Sequence, residues 1–157
     1  MGDTSLGDVR QWLRAHLAPV LPGLSECSVR IKGDVEWRPI VRRINVADGI
    51  KQQIEFGFAA AHYLPQLPAD HKCRRMHGHS FGVAISTPDS LRLIGRARSL
   101  HEKLDHQLLN DIPGLDNPTS ENLARWWWDN LSGRPGLIDE IIIQETCTTG
   151  CIYRGES

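Results

Sequence analysis

The sequence predicts an α+β domain in which a four-stranded antiparallel sheet is covered on one face by two helices. Three observations predict this class. Apolar side chains alternate with a period of two in four segments, which is typical of strands. Two segments between them have helical periodicity and helix start signals. The order of elements, β-β-α-α-β-β, favours a hairpin at each end of the domain.

The composition restricts the class of protein. The 157 residues carry 18 Lys and Arg against 19 Asp and Glu, a net charge of −1. A large nucleic-acid footprint needs an excess of basic residues, so we expect no nucleic-acid partner. No apolar run approaches the roughly 20 residues of a membrane-spanning helix, and the first residues lack a secretion signal. Because four cysteines form no dense disulfide framework, we expect a cytoplasmic protein.

Residues 1–50 are predicted to be an N-terminal extension of a main domain at 51–157. An apolar stripe with helical spacing predicts a helix over 5–20, which prolines end. Two short strands are predicted at 27–32 and 37–46. We interpret the extension as a packing appendage, and a regulatory or partner-binding role is the alternative.

Four strands are predicted in the main domain. The first begins at Gln53 and places five residues on one face, namely Ile54, Phe56, Phe58, Ala60 and His62. The second follows a loop rich in proline and charge, and its equivalent face carries His77, His79, Phe81, Val83 and Ile85. The third and fourth are predicted at 137–145 and 151–154.

Two helices are predicted between these strand pairs. The first begins at Thr87-Pro88-Asp89, in which the threonine caps the helix and the proline takes its first position. This helix extends to about Leu104. The second opens at Thr119 or Ser120 and extends to Leu131.

The sequence His77-Gly78-His79 is the strongest local indication of a functional site. Residues i and i+2 of a strand point the same way, so His77 and His79 would face one pocket. If the two strands form a hairpin, His62 returns close to this pair. Three neutral imidazoles with a free fourth position hold catalytic zinc, and iron or copper also accept imidazole. The alternative is that these histidines hydrogen-bond backbone groups in or near the core.

Cys73, Asp105 and His106 are candidates for proton transfer. Cys73 lies among basic residues four positions before His77. This setting favours a reactive thiolate, and the alternative is an inert loop thiol. A carboxylate beside a histidine can orient the ring as a proton donor. Because adjacent helical residues do not face each other, that role requires the chain to leave the helix at Asp105; otherwise the pair is a polar helix end.

Glu145 continues the apolar face that the third strand begins with Ile141 and Ile143. A carboxylate in that position needs a partner, and it could accept two parallel hydrogen bonds from an amidine-like ligand edge. The alternative is a surface acid at a strand end. His101 lies four residues before Asp105, and we interpret it as part of an ion pair on a solvated helix face.

Two further groupings are interpreted as structural. Cys147 and Cys151 do not have the spacing of zinc ribbons or redox centres, so structural thiols are the better interpretation. Trp126–Trp128 form i,i+4 pairs with apolar neighbours, which favours core and subunit packing over a stacking platform for bases.

Five motifs occur in the order of a known protein family. They are FAAAHYLP at 58–65, CRRMHGHSF at 73–81, LDH at 104–106, NPTSE at 117–121 and ETCTTGC at 145–151. On these motifs, residues 54–155 resemble the 6-pyruvoyl-tetrahydropterin synthase / 6-carboxy-tetrahydropterin synthase family, and most closely its bacterial 6-carboxy branch.

The resemblance implies a tunnelling fold (T-fold) and assembly into homo-oligomers, either trimers or hexamers. Between His79 and Asp105 the chain is shorter than the family pattern. We hypothesise that the candidate strands within 27–46 replace the lost sheet edge or reshape the subunit interface.

The resemblance also implies a role for each candidate residue. It implies Zn²⁺ on His62, His77 and His79, catalytic roles for Cys73, Asp105 and His106, and substrate binding by Glu145, Thr119 and Ser120. The expected substrate is 7,8-dihydroneopterin triphosphate. The 6-carboxy branch releases acetaldehyde and triphosphate from it on the route to 7-deazaguanine and queuosine.

Two alternatives to a 6-carboxy-tetrahydropterin synthase remain open. The first is an enzyme with the same fold and metal that forms 6-pyruvoyl-tetrahydropterin or acts on a related pterin. The second is a pterin- or purine-binding module without catalysis. Intact Cys73, Asp105 and His106 argue against the second, because a binding module does not need them.

Overall fold

The computed structural model describes residues 6–17, 19, 37–46, 49–133 and 136–155. The chain divides into two compact units, 1–34 and 35–157. No helix among the described residues is long and apolar enough to cross a membrane.

In the first unit, helix α1 spans Leu6–Leu17 and confirms the helix predicted over 5–20. The exposed ring of Trp12 stacks on His16 with 4.1 Å between ring centroids. The strand predicted at 27–32 lies outside the described residues.

In the second unit, the described residues form one antiparallel sheet in the order β1-β2-β3-β4-β5. The strands are β1 Ile40–Val46, β2 Gly49–His62, β3 His77–Thr87, β4 Glu140–Gln144 and β5 Gly150–Tyr153. The four predicted strands are present, and the segment predicted at 37–46 adds a fifth. β1 pairs with the first half of β2, from Ile40 opposite Glu55 to Val46 opposite Gly49. The unit that contains the sheet spans residues 35–157, and the domain boundary expected at residue 51 stays a prediction.

Two helices pack against this sheet, α2 at Ser90–Leu104 and α3 at Ser120–Leu131. The cap of α2 differs from the expected one. Asp89 accepts a hydrogen bond from the Arg92 backbone N–H at 3.4 Å and is the N-cap. Thr87 still belongs to β3, and its hydroxyl donates to the Leu137 carbonyl oxygen at 2.8 Å. The helix therefore begins later than the threonine predicts.

The core lies between the sheet and the two helices. Facing pairs on β2 and β3, such as Ile54 with Ile85 and Phe58 with Phe81, are buried as their period-two pattern predicts. Trp127 on α3 is fully buried and lies 5.3 Å from Phe56, ring to ring. This confirms core packing for the tryptophan cluster.

His101 corrects one sequence interpretation. Its side chain is only 4% exposed, so it does not lie on a solvated helix face. Its Nε2 lies 3.0 Å from the Gly57 carbonyl oxygen, and its ring packs edge-on against Trp37 at 5.0 Å and Phe56 at 6.0 Å. The helical spacing from Asp105 suggested an ion pair, but the position faces the sheet.

Three of the cysteines are free thiols in the described part of the chain, Cys73, Cys147 and Cys151. Burial and the negative charge of Glu121 raise the pKa of the Cys151 thiol above its usual value. A protonated, partly buried thiol is consistent with the structural interpretation of Cys151.

Candidate active site

The pairing of β2 with β3 brings three histidine rings together. His62 is directly opposite His77, and His79 is opposite Ala60, two pairs further along the hairpin and therefore on the same face. The ring of His62 lies 4.5 Å from His77 and 5.2 Å from His79, and the latter two are 5.0 Å apart, centroid to centroid. The convergence predicted from alternation along two paired strands is thus present.

Backbone carbonyl groups orient two of these rings. The Nδ1 of His62 lies 2.9 Å from the Pro118 carbonyl oxygen, and that of His77 lies 2.7 Å from the Arg75 carbonyl oxygen. A carbonyl can only accept, so each Nδ1 carries the proton and each Nε2 keeps its lone pair. Both Nε2 atoms are buried and have no hydrogen-bond partner. Buried lone pairs of this kind suit metal ligation, with the carbonyls fixing the tautomer.

The carboxylate of Glu145 completes the cluster. Its Oε1 lies 3.2 Å from the Nε2 of His79 and 3.5 Å from the Nε2 of His62. Its Oε2 accepts a hydrogen bond from the Ser120 hydroxyl at 2.6 Å. The ligand atoms of the three histidines and Glu145 all lie within 4.8 Å of one another. Three imidazoles and a carboxylate are a donor set that fits zinc, and also iron.

Burial is the main influence on the charge of His62. It lowers the pKa of this fully buried imidazole below its usual value, although the Pro118 carbonyl and the Glu145 carboxylate act in the opposite direction. The neutral form is the one that binds a metal ion.

The chain leaves α2 at Asp105, which has extended backbone angles, and His106 follows with a φ of 58° in the left-handed region. As a result the two adjacent side chains meet, with 2.9 Å between the Asp105 Oδ2 and the His106 Nδ1. The other carboxylate oxygen accepts the Ala59 backbone N–H at 2.9 Å, which ties the pair to β2. The departure from the helix that an orienting role requires is therefore present.

His106 and His79 line one cavity of about 520 Å³. The rest of its wall consists mainly of small residues and backbone, at 59–61, 78–80 and 106–108. The small side chains leave room for a ligand next to His79 and His106.

Cys73 lies in the loop that joins β2 to β3, within a short 3-10 turn at Lys72–Arg74. Its carbonyl accepts the Leu64 backbone N–H at 2.9 Å, and its own N–H donates to the Nδ1 of His71 at 3.1 Å. These bonds fix its backbone across the loop at the end of the hairpin where His62 faces His77.

Thr119 and Ser120 have different contacts although they are adjacent. The Thr119 hydroxyl accepts the Asn122 backbone N–H at 3.3 Å and caps α3. Ser120, the first residue of α3, contacts Glu145 instead. Sequence reasoning missed the Pro118 and Arg75 carbonyls, because backbone acceptors in loops leave no signal in residue type.

Comparisons with known proteins show which proteins this sequence is similar to. A family model described as 6-pyruvoyl tetrahydropterin synthase matches residues 51–156. A Synechocystis protein named 6-carboxy-5,6,7,8-tetrahydropterin synthase is 38% identical over 117 residues, which are 63% of this chain and 88% of that protein. An Archaeoglobus fulgidus protein named as a putative 6-carboxy-5,6,7,8-tetrahydropterin synthase is 31% identical over 81 residues, 45% of this chain and 66% of that protein.

The fold is also similar to solved structures. The Caenorhabditis elegans 6-pyruvoyl tetrahydropterin synthase has a TM-score of 0.60 at 20% identity, over 77% of this chain and all of that one. The Plasmodium vivax 6-pyruvoyltetrahydropterin synthase has a TM-score of 0.51 at 12% identity, over 68% of this chain and 98% of that one. At these identities the structures support the fold alone, which is the T-fold. The family match over two thirds of the chain and the 38% identical relative show that this chain belongs to the 6-pyruvoyl tetrahydropterin synthase family.

Proposed function

We propose that the protein is a zinc-dependent 6-carboxy-5,6,7,8-tetrahydropterin synthase. Its substrate is 7,8-dihydroneopterin triphosphate, and it releases acetaldehyde and triphosphate on the route to 7-deazaguanine and queuosine. The observation that carries the proposal is the convergence of His62, His77 and His79, two of which have buried, unpaired Nε2 atoms. The identity to the Synechocystis protein supports the 6-carboxy reaction over others of the family.

His62, His77 and His79 hold the zinc ion through their Nε2 atoms. When bound, zinc supplies Lewis-acid polarisation of the hydroxyl groups on the substrate side chain. The hydrogen bonds from His62 to Pro118 and from His77 to Arg75 keep those rings in the ligating tautomer.

Protons are moved by three residues of the chain. Cys73 acts as the base that removes a proton from the substrate side chain. His106 returns a proton, and Asp105 orients its ring through the 2.9 Å contact at Nδ1. The cavity that His79 and His106 share supports the role of His106 as the proton donor, because His106 then faces the space beside a metal ligand.

The pterin ring is bound near the start of α3. Glu145 accepts N–H groups of the ring through its carboxylate, as in guanidinium–carboxylate pairs. Ser120 steadies the carboxylate by its 2.6 Å hydrogen bond. Thr119 contributes by holding the first turn of α3 next to the ring through its cap.

We also propose that the protein works in the cytoplasm as a homo-oligomer, a trimer or hexamer in which neighbouring subunits help to build the pocket. Exposed apolar side chains on both edge strands support an assembled form. They are Ile40 and Val41 on β1 and Ile152 on β5.

The test is incubation of the zinc-loaded protein with 7,8-dihydroneopterin triphosphate, with the products identified by mass spectrometry. We expect 6-carboxy-tetrahydropterin and acetaldehyde. A 6-pyruvoyl product would identify the other branch of the family, and binding without turnover would identify a pterin-binding module.

The assignment of the base makes a separate prediction. Cys73→Ala should retain zinc and lose at least about 100-fold in kcat, because general base catalysis contributes that much or more. Cys147→Ala, at an exposed thiol in the turn after β4, is the matched control and should keep both its zinc and the wild-type kcat. Full turnover by Cys73→Ala would reject the assigned base.

A further inference from the structure

The carboxylate of Glu145 lies within 3.5 Å of the Nε2 atoms of two histidines of the cluster. We infer that Glu145 is the fourth protein ligand of the metal ion while substrate is absent, and that it leaves the metal when substrate binds. The inference rests on the proposed function only in requiring a metal ion on the three histidines.

The distances match those between ligands of one ion. Zinc binds nitrogen and oxygen at roughly 2.0–2.1 Å in tetrahedral geometry, so two ligand atoms are roughly 3.3 Å apart. The Glu145 Oε1 lies 3.2 Å from the Nε2 of His79 and 3.5 Å from the Nε2 of His62. The carboxylate oxygen therefore lies at the spacing of a shared ion from two of the three histidines, and all four ligand atoms lie within 4.8 Å of one another.

A direct hydrogen bond does not explain the contact with His62. The Nδ1 proton of that ring is donated to the Pro118 carbonyl, so its Nε2 presents a lone pair to the carboxylate. A buried nitrogen lone pair and a carboxylate oxygen that face each other repel, and the Nε2 of His62 is without a hydrogen-bond partner. A cation between them turns the repulsion into attraction.

The other carboxylate oxygen is held from outside the cluster. The Ser120 hydroxyl, on the first residue of α3, donates to the Glu145 Oε2 at 2.6 Å. The Glu145 backbone N–H donates to the Thr149 carbonyl at 3.1 Å in the turn that leads to β5. These contacts direct Oε1 toward the histidines, as hydrogen bonds beyond the ligands usually do at metal sites.

The charge balance also favours ligation. Three neutral imidazoles do not reduce the charge of a divalent ion, so a net charge of +2 would remain in a largely buried site. Ligation by one carboxylate lowers this net charge to +1. If the ion stays four-coordinate, a substrate oxygen that binds it takes the place of this carboxylate. Its displacement frees Glu145 to accept the N–H groups of the pterin ring while Ser120 still holds Oε2.

Metal affinity and the cobalt spectrum test the inference without turnover. The full-length protein is loaded with Zn²⁺, and the dissociation constant of the zinc ion is measured by competition with a chelator. The same protein loaded with Co²⁺ is examined by visible absorption spectroscopy. Glu145→Gln should weaken zinc binding by at least about 10-fold and change the position and intensity of the cobalt bands. Glu121→Gln, at an exposed carboxylate of α3, is the control and should match wild type.

Each outcome separates this inference from the proposed function. Wild-type affinity and an unchanged cobalt spectrum in Glu145→Gln would overturn the inference and leave the function intact. Weaker metal binding in a protein that forms no pterin product would support the inference and reject the function. If Glu145→Gln does not fold, Glu145→Asp withdraws the carboxylate by one methylene group. An unchanged spectrum in that variant would likewise overturn the inference.

Discussion

Pro118 and Arg75 contribute to the histidine cluster through their backbone carbonyl oxygens rather than their side chains. Each carbonyl accepts a hydrogen bond from a ring Nδ1 and leaves the opposite nitrogen unprotonated. The loops before α3 and before β3 therefore determine the chemistry of His62 and His77. Side-chain substitutions at Pro118 and Arg75 should therefore affect metal binding less than a change in the backbone path of either loop.

His101 makes a second prediction for a single residue. His101→Ala removes the hydrogen bond to the Gly57 carbonyl and the packing against Trp37 and Phe56. Because the site is buried, the free energy of unfolding should fall by about 2 kcal/mol or more. Urea denaturation measures this change, with Lys103→Ala at an exposed position of the same helix as the control. Equal midpoints for the two variants would contradict the packing role.

The candidate site could be predicted from the sequence where side chains follow strand alternation. His62, His77 and His79 were identified in this way, because the period of two fixes which side chains share a face. The burial of His101 could not be predicted, since helical spacing shows which residues are neighbours but not which face is covered. The contact between Ser120 and Glu145 depends on how α3 packs on the sheet, so spacing along the chain gives no sign of it.

Among the elements, β2, β3, α2 and α3 follow from local patterns, and β1 shows where such patterns are insufficient. The sequence predicts a short strand over 37–46 but not its partner. The structure pairs it with β2, from Ile40 opposite Glu55 to Val46 opposite Gly49, and β2 begins four residues before its predicted start at Gln53. The hypothesis that this segment supplies a sheet edge agrees with the pairing, and its effect on the subunit interface stays a prediction.

Truncation tests the contribution of β1. A chain that begins at residue 49 loses the β1–β2 pairing and the contact of Trp37 with Phe56 and His101. We expect it to be less stable by about 2 kcal/mol or more than a chain that begins at Val35, since an aromatic contact and a full row of strand pairs are lost. Thermal melts of the two truncated proteins measure the difference. Equal melting temperatures would show that β1 adds nothing to the sheet.

For the whole molecule, metal binding should stabilise the native state, because only the folded sheet brings the ligands together. At a zinc concentration 100 times the dissociation constant, mass action adds about 2.7 kcal/mol. In a chain of this size that corresponds to a rise in melting temperature of roughly 5–10 °C. Differential scanning calorimetry with Zn²⁺, with Mg²⁺ and with a chelator measures it. Equal melting temperatures for the zinc-loaded protein and the protein treated with chelator would contradict this prediction.

The metal content of the purified protein tests the central claim most directly. Elemental analysis should find one zinc per chain in the wild type and in His71→Ala, which changes a histidine of the exposed loop. His77→Ala should hold almost none and should be inactive, because it removes a ligand whose buried Nε2 has no other partner. A wild-type chain that binds no divalent metal, or a His77→Ala chain with full zinc content, would contradict the account.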